Sequence, residues 1–302
     1  MIRTLSQLIA NAKIRTQKRV AVAAAEDFHV LSAIKRATEE NIIQPLLIGN
    51  AKKIAEVAGQ IQFDYKNIEI IDTSTESLSP AEKAVQEVKK GEAEIVMKGA
   101  VTTAELLRAI LDKENGLRKS DVLSHVAFFQ SPYYHKLLCV TDVAMNIAPD
   151  LETKVHILNN AVGACKSIGI ETPKVVVAAA VETVNPKMEA TVHADILKKM
   201  NQEGKITGCI IDGPLAIDLA VSKEAAQNKG IESEVAGDCD IILAPDIEAG
   251  NMFYKALNFL GGAQSAAVIM GAAASVVLTS RSDDENTKFY SIVLAAAMSQ
   301  SK

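Results

Sequence analysis

The chain has 302 residues, of which 48% are hydrophobic and 23% charged, with a formal net charge of −5. These values are typical of a globular protein with a large core and exclude intrinsic disorder. Without a long basic block or a run of about 18 apolar residues, the sequence predicts neither a nucleic-acid-binding surface nor a membrane span. We therefore expect no nucleic acid and no membrane among its partners.

The first third of the chain alternates short apolar runs with amphipathic segments. This rhythm predicts a parallel sheet covered by helices on both faces. Pro80 directly after Ser79 suits the first residue of a helix. The predicted strands are Val20–Ala24, Pro45–Ile48, Ile68–Ile71 and Glu94–Met97, and the predicted helices are Val30–Glu40, Ala51–Ala58 and Pro80 to about Lys90.

The rest of the chain continues this pattern, with one hairpin in the middle and an apolar helix through Met298. Gly213-Pro214 predicts a tight turn after a strand, and Asp246 suits a helix N-cap. We expect a two-lobed α/β protein with a cleft. The predicted strands are Val122–Phe129, Lys136–Val140, Val175–Val181, Gly208–Ile211, Asp240–Leu243 and Ala266–Met270, and the helices are Lys154–Ile168, Met188–Met200 and Gly250–Phe259.

The cysteines and histidines predict no metal site and no disulfide framework. None of the cysteines forms a C-x-x-C pair, and no histidine has a His, Cys or Glu at metal-ligand spacing. His125, between apolar neighbours, is predicted to be a core residue. Reduced thiols and the lack of a signal-peptide pattern favour the cytoplasm. The cysteines are Cys139, Cys165, Cys209 and Cys239.

The segment VVLTSRSDDENTKFYSIVLAAA is predicted to form a strand, a turn and the start of a helix. Ser282 followed by Glu285 matches a capping box. The first turn of a helix presents unpaired N–H groups and a positive dipole end, which suit an anion. Ser280 and Arg281 lie at this turn, where a hydroxyl and a guanidinium can bind phosphate or polarise a carbonyl. The alternative is that both are ordinary surface residues at a helix start.

A second candidate site is EIVMKGAVTTAELLRAIL, where a strand ends at Lys98 and a helix follows. Ligands of α/β sheets bind beyond the carboxyl ends of strands. Lys98 offers a positive charge there, and Thr102 and Thr103 offer hydroxyls near a helix N-terminus. Arg108 either reaches the cleft or pairs with Asp112 on the surface. G-x-S-x-G, G-x-G-x-x-G and the P-loop signature are absent.

Eight segments in order resemble the phosphate acetyl/butyryltransferase family, and within it the phosphate butyryltransferases. The resemblance runs almost end to end, and the co-occurrence of the segments makes it specific. The segments are VMKGAVTTAELLR, LSHVAFF, LLCVTDVAMNIAPD, NNAVGACKSIGIETPKV, AAVETVNPKMEAT, GCIIDGPLAIDLAVSKEAA, APDIEAGNMFYKAL and VVLTSRSDDENTK.

The resemblance implies the reaction acyl-CoA + phosphate ⇌ acyl phosphate + CoA, with coenzyme A as a substrate and no cofactor. It implies a three-layer α/β/α fold like that of isocitrate and isopropylmalate dehydrogenases, with the site in an interdomain cleft. Residues 1–125 and 270–302 would form domain I, and residues 126–269 would form domain II. The family also suggests a homodimer or higher homo-oligomer, with dimerisation expected through domain II.

The family's site residues match this sequence unevenly. Ser280 and Arg281 match its catalytic Ser-Arg pair, and Arg108 matches a helix arginine that lines its site. Lys98 stands where the acetyltransferases have the serine of a Ser-Gly pair, and they carry a further arginine in a segment missing here. We hypothesise that Lys98 supplies the displaced charge and, with Thr102, Thr103 and Arg108, binds phosphate.

The base that accepts the thiol proton is less well defined. The acid proposed for this role in the acetyltransferases falls, without gaps, on Thr287. Asp283 is the nearest alternative, with Glu285 behind it. The alternative for both acids is a structural interaction with the helix dipole.

Three other functions are compatible with parts of the pattern. The first is a phosphate acetyltransferase with a smaller acyl pocket, and the second is a dehydrogenase of the same fold. The dehydrogenase predicts a carboxylate-rich metal site and a nucleotide loop, neither of which the sequence contains. The third is a non-catalytic acyl-CoA-binding protein, which the presence of Ser280, Arg281 and Arg108 disfavours.

Overall fold

A computed structural model describes residues 2–280 and 283–299. It divides the chain into two compact units. The terminal unit holds Ser6–Asp121 and the chain from Ala266 onward, and the central unit holds Val122–Ser265 with the segment up to Leu5. Both units are built from strands and helices, so the α/β class predicted from the sequence is confirmed.

The terminal unit contains a sheet with the strand order β3-β2-β1-β4-β11-β10. Its strands are parallel except for β10, which runs antiparallel to β11. The strands are β1 Lys18–Ala23, β2 Ile43–Gly49, β3 Glu69–Asp72, β4 Ile95–Lys98, β10 Gln264–Met270 and β11 Ser275–Val277, and the helices are α1 Leu5–Lys13, α2 Phe28–Glu39, α3 Ala51–Gln60, α4 Pro80–Lys90, α5 Thr103–Leu111 and α11 Glu285–Met298.

The strands of this sheet are covered on both faces. All residues of β4 are buried, as expected of a central parallel strand between helix layers. Helix α2 packs against α11, while α4 packs against β1 and α5. Helix α4 begins at Pro80 with Ser79 as its N-cap in a capping box, which confirms the predicted helix start.

The start of α11 differs from the prediction. The helix begins at Glu285 with Asp284 as its N-cap, whose side chain accepts a hydrogen bond from the Thr287 N–H. The predicted capping box of Ser282 and Glu285 is therefore wrong, and Ser282 itself lies outside the described residues. An aspartate is as good an N-cap as a serine, so the acid nearer the apolar stretch fixes the helix start.

The central unit contains a sheet with the strand order β5-β6-β9-β7-β8. The predicted hairpin is confirmed, because β5 and β6 pair antiparallel, while the other pairs are parallel. The strands are β5 Ser124–Gln130, β6 Leu138–Thr141, β7 Lys174–Ala178, β8 Ile210–Leu215 and β9 Ile241–Leu243, and the helices are α6 Leu151–Ser167, α7 Glu189–Gln202, α8 Ile217–Val221, α9 Lys223–Asn228 and α10 Ile247–Phe259.

The helix cap predicted in this unit is confirmed, and two predictions about its strands are wrong. Asp246 caps α10 by accepting from the Ala249 N–H, as predicted. Strand β7 ends at Ala178 and not at Val181. Gly213-Pro214 is part of β8 and forms no turn that ends it. Strand β8 lies last in the order of this unit, where a proline without an N–H is tolerated, and the β7–β8 register shifts beside it.

His125 is 5% exposed and lies edge-on against the Tyr254 ring, so its predicted core position is confirmed. The described residues include no group of three or more His, Cys, Asp or Glu side chains arranged to hold a metal ion. Within the same residues, no helix has both the length and the apolar character needed to cross a bilayer.

Candidate functional site

Lys98 ends strand β4 at the carboxyl edge of the terminal unit's sheet, beside Ala23 of β1. The following Gly99 N–H donates to the Ala23 carbonyl over 2.8 Å. A Cβ on Gly99 would lie only 2.1 Å from the carbonyl oxygen of Ala24, so this close approach requires glycine. Lys98 is 5% exposed, and its Nζ donates to the Gly99 carbonyl over 3.3 Å. The sequence therefore holds a buried ammonium group at the strand end.

Ser280 follows β11, the neighbour of β4 in the sheet, and is exposed. Its N–H donates to Oδ2 of Asp283 over 2.7 Å, and its carbonyl accepts from the Asp283 N–H over 3.2 Å. The same carbonyl accepts from Nζ of Lys288 over 3.2 Å. Two hydrogen bonds between Ser280 and Asp283 thus fix the backbone on either side of residues 281 and 282. Arg281, the predicted catalytic partner of Ser280, lies outside the described residues.

A small pocket of about 20 Å³ brings the strand end and the serine together. This volume corresponds to a water-sized group, such as one oxygen of a phosphate. Helix α2 begins here, with Asp27 as its N-cap. The lining residues are Asp27, His29, Val30, Lys98, Gly99, Thr279, Ser280 and Lys288.

Three other predicted phosphate ligands do not line this pocket. Thr102 is the N-cap of α5, where its hydroxyl accepts from the Glu105 N–H and donates to Oε2 of Glu105. Thr103 is the exposed first residue of that helix. Arg108 is also exposed and lines a separate groove of about 410 Å³ between α4 and α5. Asp112 lines the same groove.

The acids of that groove respond to the charge of Arg108. Hydrogen bonds from Thr102 lower the pKa of Glu105, and the Arg108 guanidinium lowers it further. Hydrogen bonds from Ser79 lower the pKa of Glu82, to which Arg108 also contributes. The hydrogen bonds at the two helix starts are thus the main cause of the lowered pKa of both acids, and Arg108 adds a smaller effect.

The sequence analysis did not predict His29 and Lys288, two basic residues that line the pocket. His29 lies in the first turn of α2, exposed and edge-on to Phe28. Lys288 lies one turn into α11 and is 3% exposed. The signal for Lys288 was its position four residues before the buried Ile292, which places a lysine on the apolar face of a helix.

Comparison with known proteins identifies the family. The model of the family described as "Phosphate acetyl/butaryl transferase" matches residues 4–82 and 76–296. The phosphate butyryltransferase of Clostridium acetobutylicum is 44% identical over 302 residues, which is 100% of both chains. The phosphate acetyltransferase of Thermotoga maritima is 47% identical over 279 residues, covering 92% of this chain and 94% of that protein.

Solved structures agree with this result. A branched-chain phosphotransacylase from Enterococcus faecalis is 31% identical with a TM-score of 0.82, covering 93% of this chain and 99% of that one. A 4-hydroxythreonine-4-phosphate dehydrogenase from Burkholderia phymatum, 14% identical with a TM-score of 0.57 over 95% of this chain and 100% of that one, shares the fold. The predicted likeness to a dehydrogenase fold is thereby confirmed. The chain belongs to the phosphate acetyl/butyryltransferase family.

Proposed function

We propose that this protein transfers a short acyl group, butyryl or a branched relative, between coenzyme A and inorganic phosphate. The observation that carries this proposal is the likeness, over its whole length, to a phosphate butyryltransferase. The pocket supports it, because a buried lysine and the family's serine line the same small space. The reaction is acyl-CoA + phosphate ⇌ acyl phosphate + CoA.

In the forward direction a phosphate oxygen attacks the thioester carbonyl, a C–O bond forms and the C–S bond breaks. The leaving thiolate takes up the proton that phosphate gives up, so atoms and charges balance. The carbonyl oxygen gains negative charge on the way, and donors directed at it lower the barrier. We assign Arg281 to this oxygen or to the phosphate, and Ser280 to a hydrogen bond with the sulfur or the tetrahedral centre.

Lys98 is assigned to the phosphate. Its ammonium lies at the carboxyl end of β4, where α/β sheets bind ligands. The phosphate assignment also includes Thr102, Thr103 and Arg108. It has less support for these residues, because they do not line the pocket that Lys98 lines. No covalent acyl-enzyme is required, because both substrates can react directly in a ternary complex.

Asp283 is assigned to accept the thiol proton in the reverse direction. A thiol of this type has a pKa of about 8.5, so attack near pH 7 needs a base. The proximity of Asp283 to Ser280 supports the assignment. Asp283 accepts a hydrogen bond from the Ser280 N–H, which is equally compatible with a structural role in the turn. The Asp283→Asn variant distinguishes a catalytic base from a structural residue.

The test of this function is phosphate-dependent release of CoA. Purified protein is incubated with butyryl-CoA and phosphate, free thiol is measured with a chromogenic disulfide, and acyl phosphate is trapped with hydroxylamine. We expect both products in equal amounts. Thiol release that does not depend on phosphate would refute acyl transfer to phosphate and indicate simple thioester hydrolysis.

Phosphate acetyltransfer is the second candidate, favoured by the 47% identity to a phosphate acetyltransferase. One methylene in a hydrophobic pocket changes specificity by about 1–3 kcal/mol, so the protein is expected to accept several acyl chains. Comparing kcat/KM for acetyl-, butyryl- and isobutyryl-CoA distinguishes the two. A preference for acetyl-CoA would assign the acetyltransferase activity.

We also propose that the protein is a homodimer or higher homo-oligomer that associates through the central unit. Helix α10 supports this, because Met252, Phe259 and Leu260 are 74%, 64% and 88% exposed. Ala256 is exposed between them at helical spacing, and contiguous apolar faces are uncommon on monomers. Light scattering should give a mass above 32.2 kDa that falls towards this value in a Met252→Glu/Phe259→Glu variant but not in Lys205→Glu. A wild-type monomer at micromolar concentration would overturn the proposal.

A further inference from the structure

Lys288 occupies an unfavourable position for a lysine. It lies one turn into α11, near the positive end of the helix dipole, and is 3% exposed. Lysine is almost never fully buried unless its charge is compensated, and cations are favoured at the opposite end of a helix. Both the burial of its charge and its position in the helix are expected to lower the stability of the protein. We therefore expect a function of Lys288 in the adjacent pocket.

The ammonium of Lys288 joins the two sides of the serine turn. Nζ donates to the carbonyl of Ser280 over 3.2 Å and to the carbonyl of Asp283 over 2.5 Å. Ser280 and Asp283 also bond to each other through backbone and carboxylate. Among the described residues, Lys288 thus connects α11 to the backbone on both sides of residues 281 and 282.

The charges around Lys288 come from three elements. Burial lowers the pKa of Lys288, and the carboxylates of Asp283, Asp27 and Asp284 oppose this effect. Lys98 and His29 line the same pocket. Within the described residues, both hydrogen bonds of Lys288 go to carbonyl oxygens, which are dipoles and not full charges. Its charge is therefore only partly compensated inside the described structure.

We infer that Lys288 is a positioning residue of the acyl-transfer site: it holds the Ser280 carbonyl and so sets where the Ser280 hydroxyl stands. The inference rests on the proposed function. Lys288 acts on turnover through Ser280, because it holds the backbone that carries this hydroxyl. A displacement of about 1 Å at a reacting group can cost roughly 10²-fold in rate.

Three variants test this role. Lys288→Met removes the donors and the charge but keeps a side chain that fills irregular apolar space. Lys288→Arg keeps the charge and the donors. Lys18→Met is the matched control, since Lys18 is also buried, at 2% exposure, but starts β1 at the amino end of the same sheet. Circular dichroism and thermal unfolding establish that each variant is folded.

We expect Lys288→Met to lower kcat by roughly 10²-fold, with a smaller change in the KM for phosphate. Lys288→Arg should recover part of the loss, and Lys18→Met should keep wild-type kcat. The decisive measurement is a double-mutant cycle with Ser280→Ala. If Lys288 acts through Ser280, adding Lys288→Met to Ser280→Ala should change kcat little further.

Two results would overturn the inference. The first is wild-type kcat in folded Lys288→Met, and the second is a fully additive cycle, which indicates a role independent of Ser280. If Lys288→Met does not fold, the same cycle is carried out with Lys288→Gln, which keeps an amide donor. A wild-type protein without acyl transfer would overturn the proposed function and this inference together, and so is distinguished from a failure of Lys288 alone.

Discussion

Replacing Lys98 by methionine tests the phosphate assignment most directly. The side chain is 5% exposed at the strand end, so its charge is poorly screened by water. Two unit charges 4 Å apart interact by about 4 kcal/mol at an effective dielectric constant of 20. Part of this is lost to desolvation, and hydrogen bonds to charged groups contribute about 1.5–3 kcal/mol net. Since 1.4 kcal/mol corresponds to a factor of ten, the KM for phosphate should rise about 10- to 150-fold.

The assay is initial-rate release of CoA from saturating butyryl-CoA over a range of phosphate concentrations. Lys18→Met serves again as the control. Lys18 is also buried and starts β1, whereas Lys98 lies beside Ala23 at the other end of that strand. We expect the KM for phosphate to change in Lys98→Met only. A folded Lys98→Met protein with a KM for phosphate within twofold of the wild type would show that Lys98 does not bind this substrate.

Three further predictions concern single residues. Arg281→Ala should lower kcat by roughly 10²-fold or more, the scale for losing a donor to an oxyanion, and steady-state kinetics with unchanged turnover would contradict the assignment. Asp283→Asn should remove the acidic limb of the pH–rate profile if Asp283 is the base, whereas a retained limb assigns it to the turn. Burial alone would raise the pKa of Asp238, but hydrogen bonds from Lys174, His135 and Lys136 outweigh it and hold the pKa well below its usual range. Asp238 therefore stabilises the fold above the ordinary carboxylate pKa of about 4, and the stability that Asp238→Asn loses at pH 7 should shrink in urea unfolding as the pH falls below that value.

Elements with a strong local signal could be predicted from the sequence. Strand β4 is a short apolar run that ends at Lys98-Gly99, and α4 has both a proline at its first position and a serine before it. Motif order identified the family, because eight segments in sequence are far more specific than any one. Strand β11 pairs with β4, so a strand near the end of the chain joins the sheet of the first part.

The residues that line the pocket and the residue that caps α11 depend on tertiary contacts, which local sequence patterns do not show. Arg108 and Lys98 are ten positions apart, and which of them faces the pocket is decided by how α5 packs against α4. Two acids follow Ser282, and the second of them, Asp284, accepts from the Thr287 N–H and caps the helix. Lys288 was missed because it ends the polar run Asp283 to Lys288, which is typical of an exposed helix start, although its spacing of four residues from Ile292 places it on the buried side of α11.

Lys136 and Lys288 are both buried but differ in the groups around their ammonium groups, and the difference bears on function. Lys136 of the central unit, 8% exposed, lies 2.6 Å from a carboxylate oxygen of Asp240 and 3.2 Å from one of Asp238. Its charge is neutralised within the fold, so removing it should cost about 3–5 kcal/mol of stability. In the part of the chain that the structure describes, the hydrogen bonds of Lys288 go to backbone carbonyls instead.

An anion that binds only the folded protein stabilises it by mass action. Inorganic phosphate should therefore raise the free energy of unfolding, by about 2.7 kcal/mol when its free concentration is a hundred times its Kd. Thermal unfolding with increasing phosphate measures this effect, with sulfate as a comparison of similar charge. The Tm of Lys98→Met should respond far less, because the buried ammonium group assigned to the phosphate is gone. An equal phosphate response in both proteins would mean that the anion binds elsewhere.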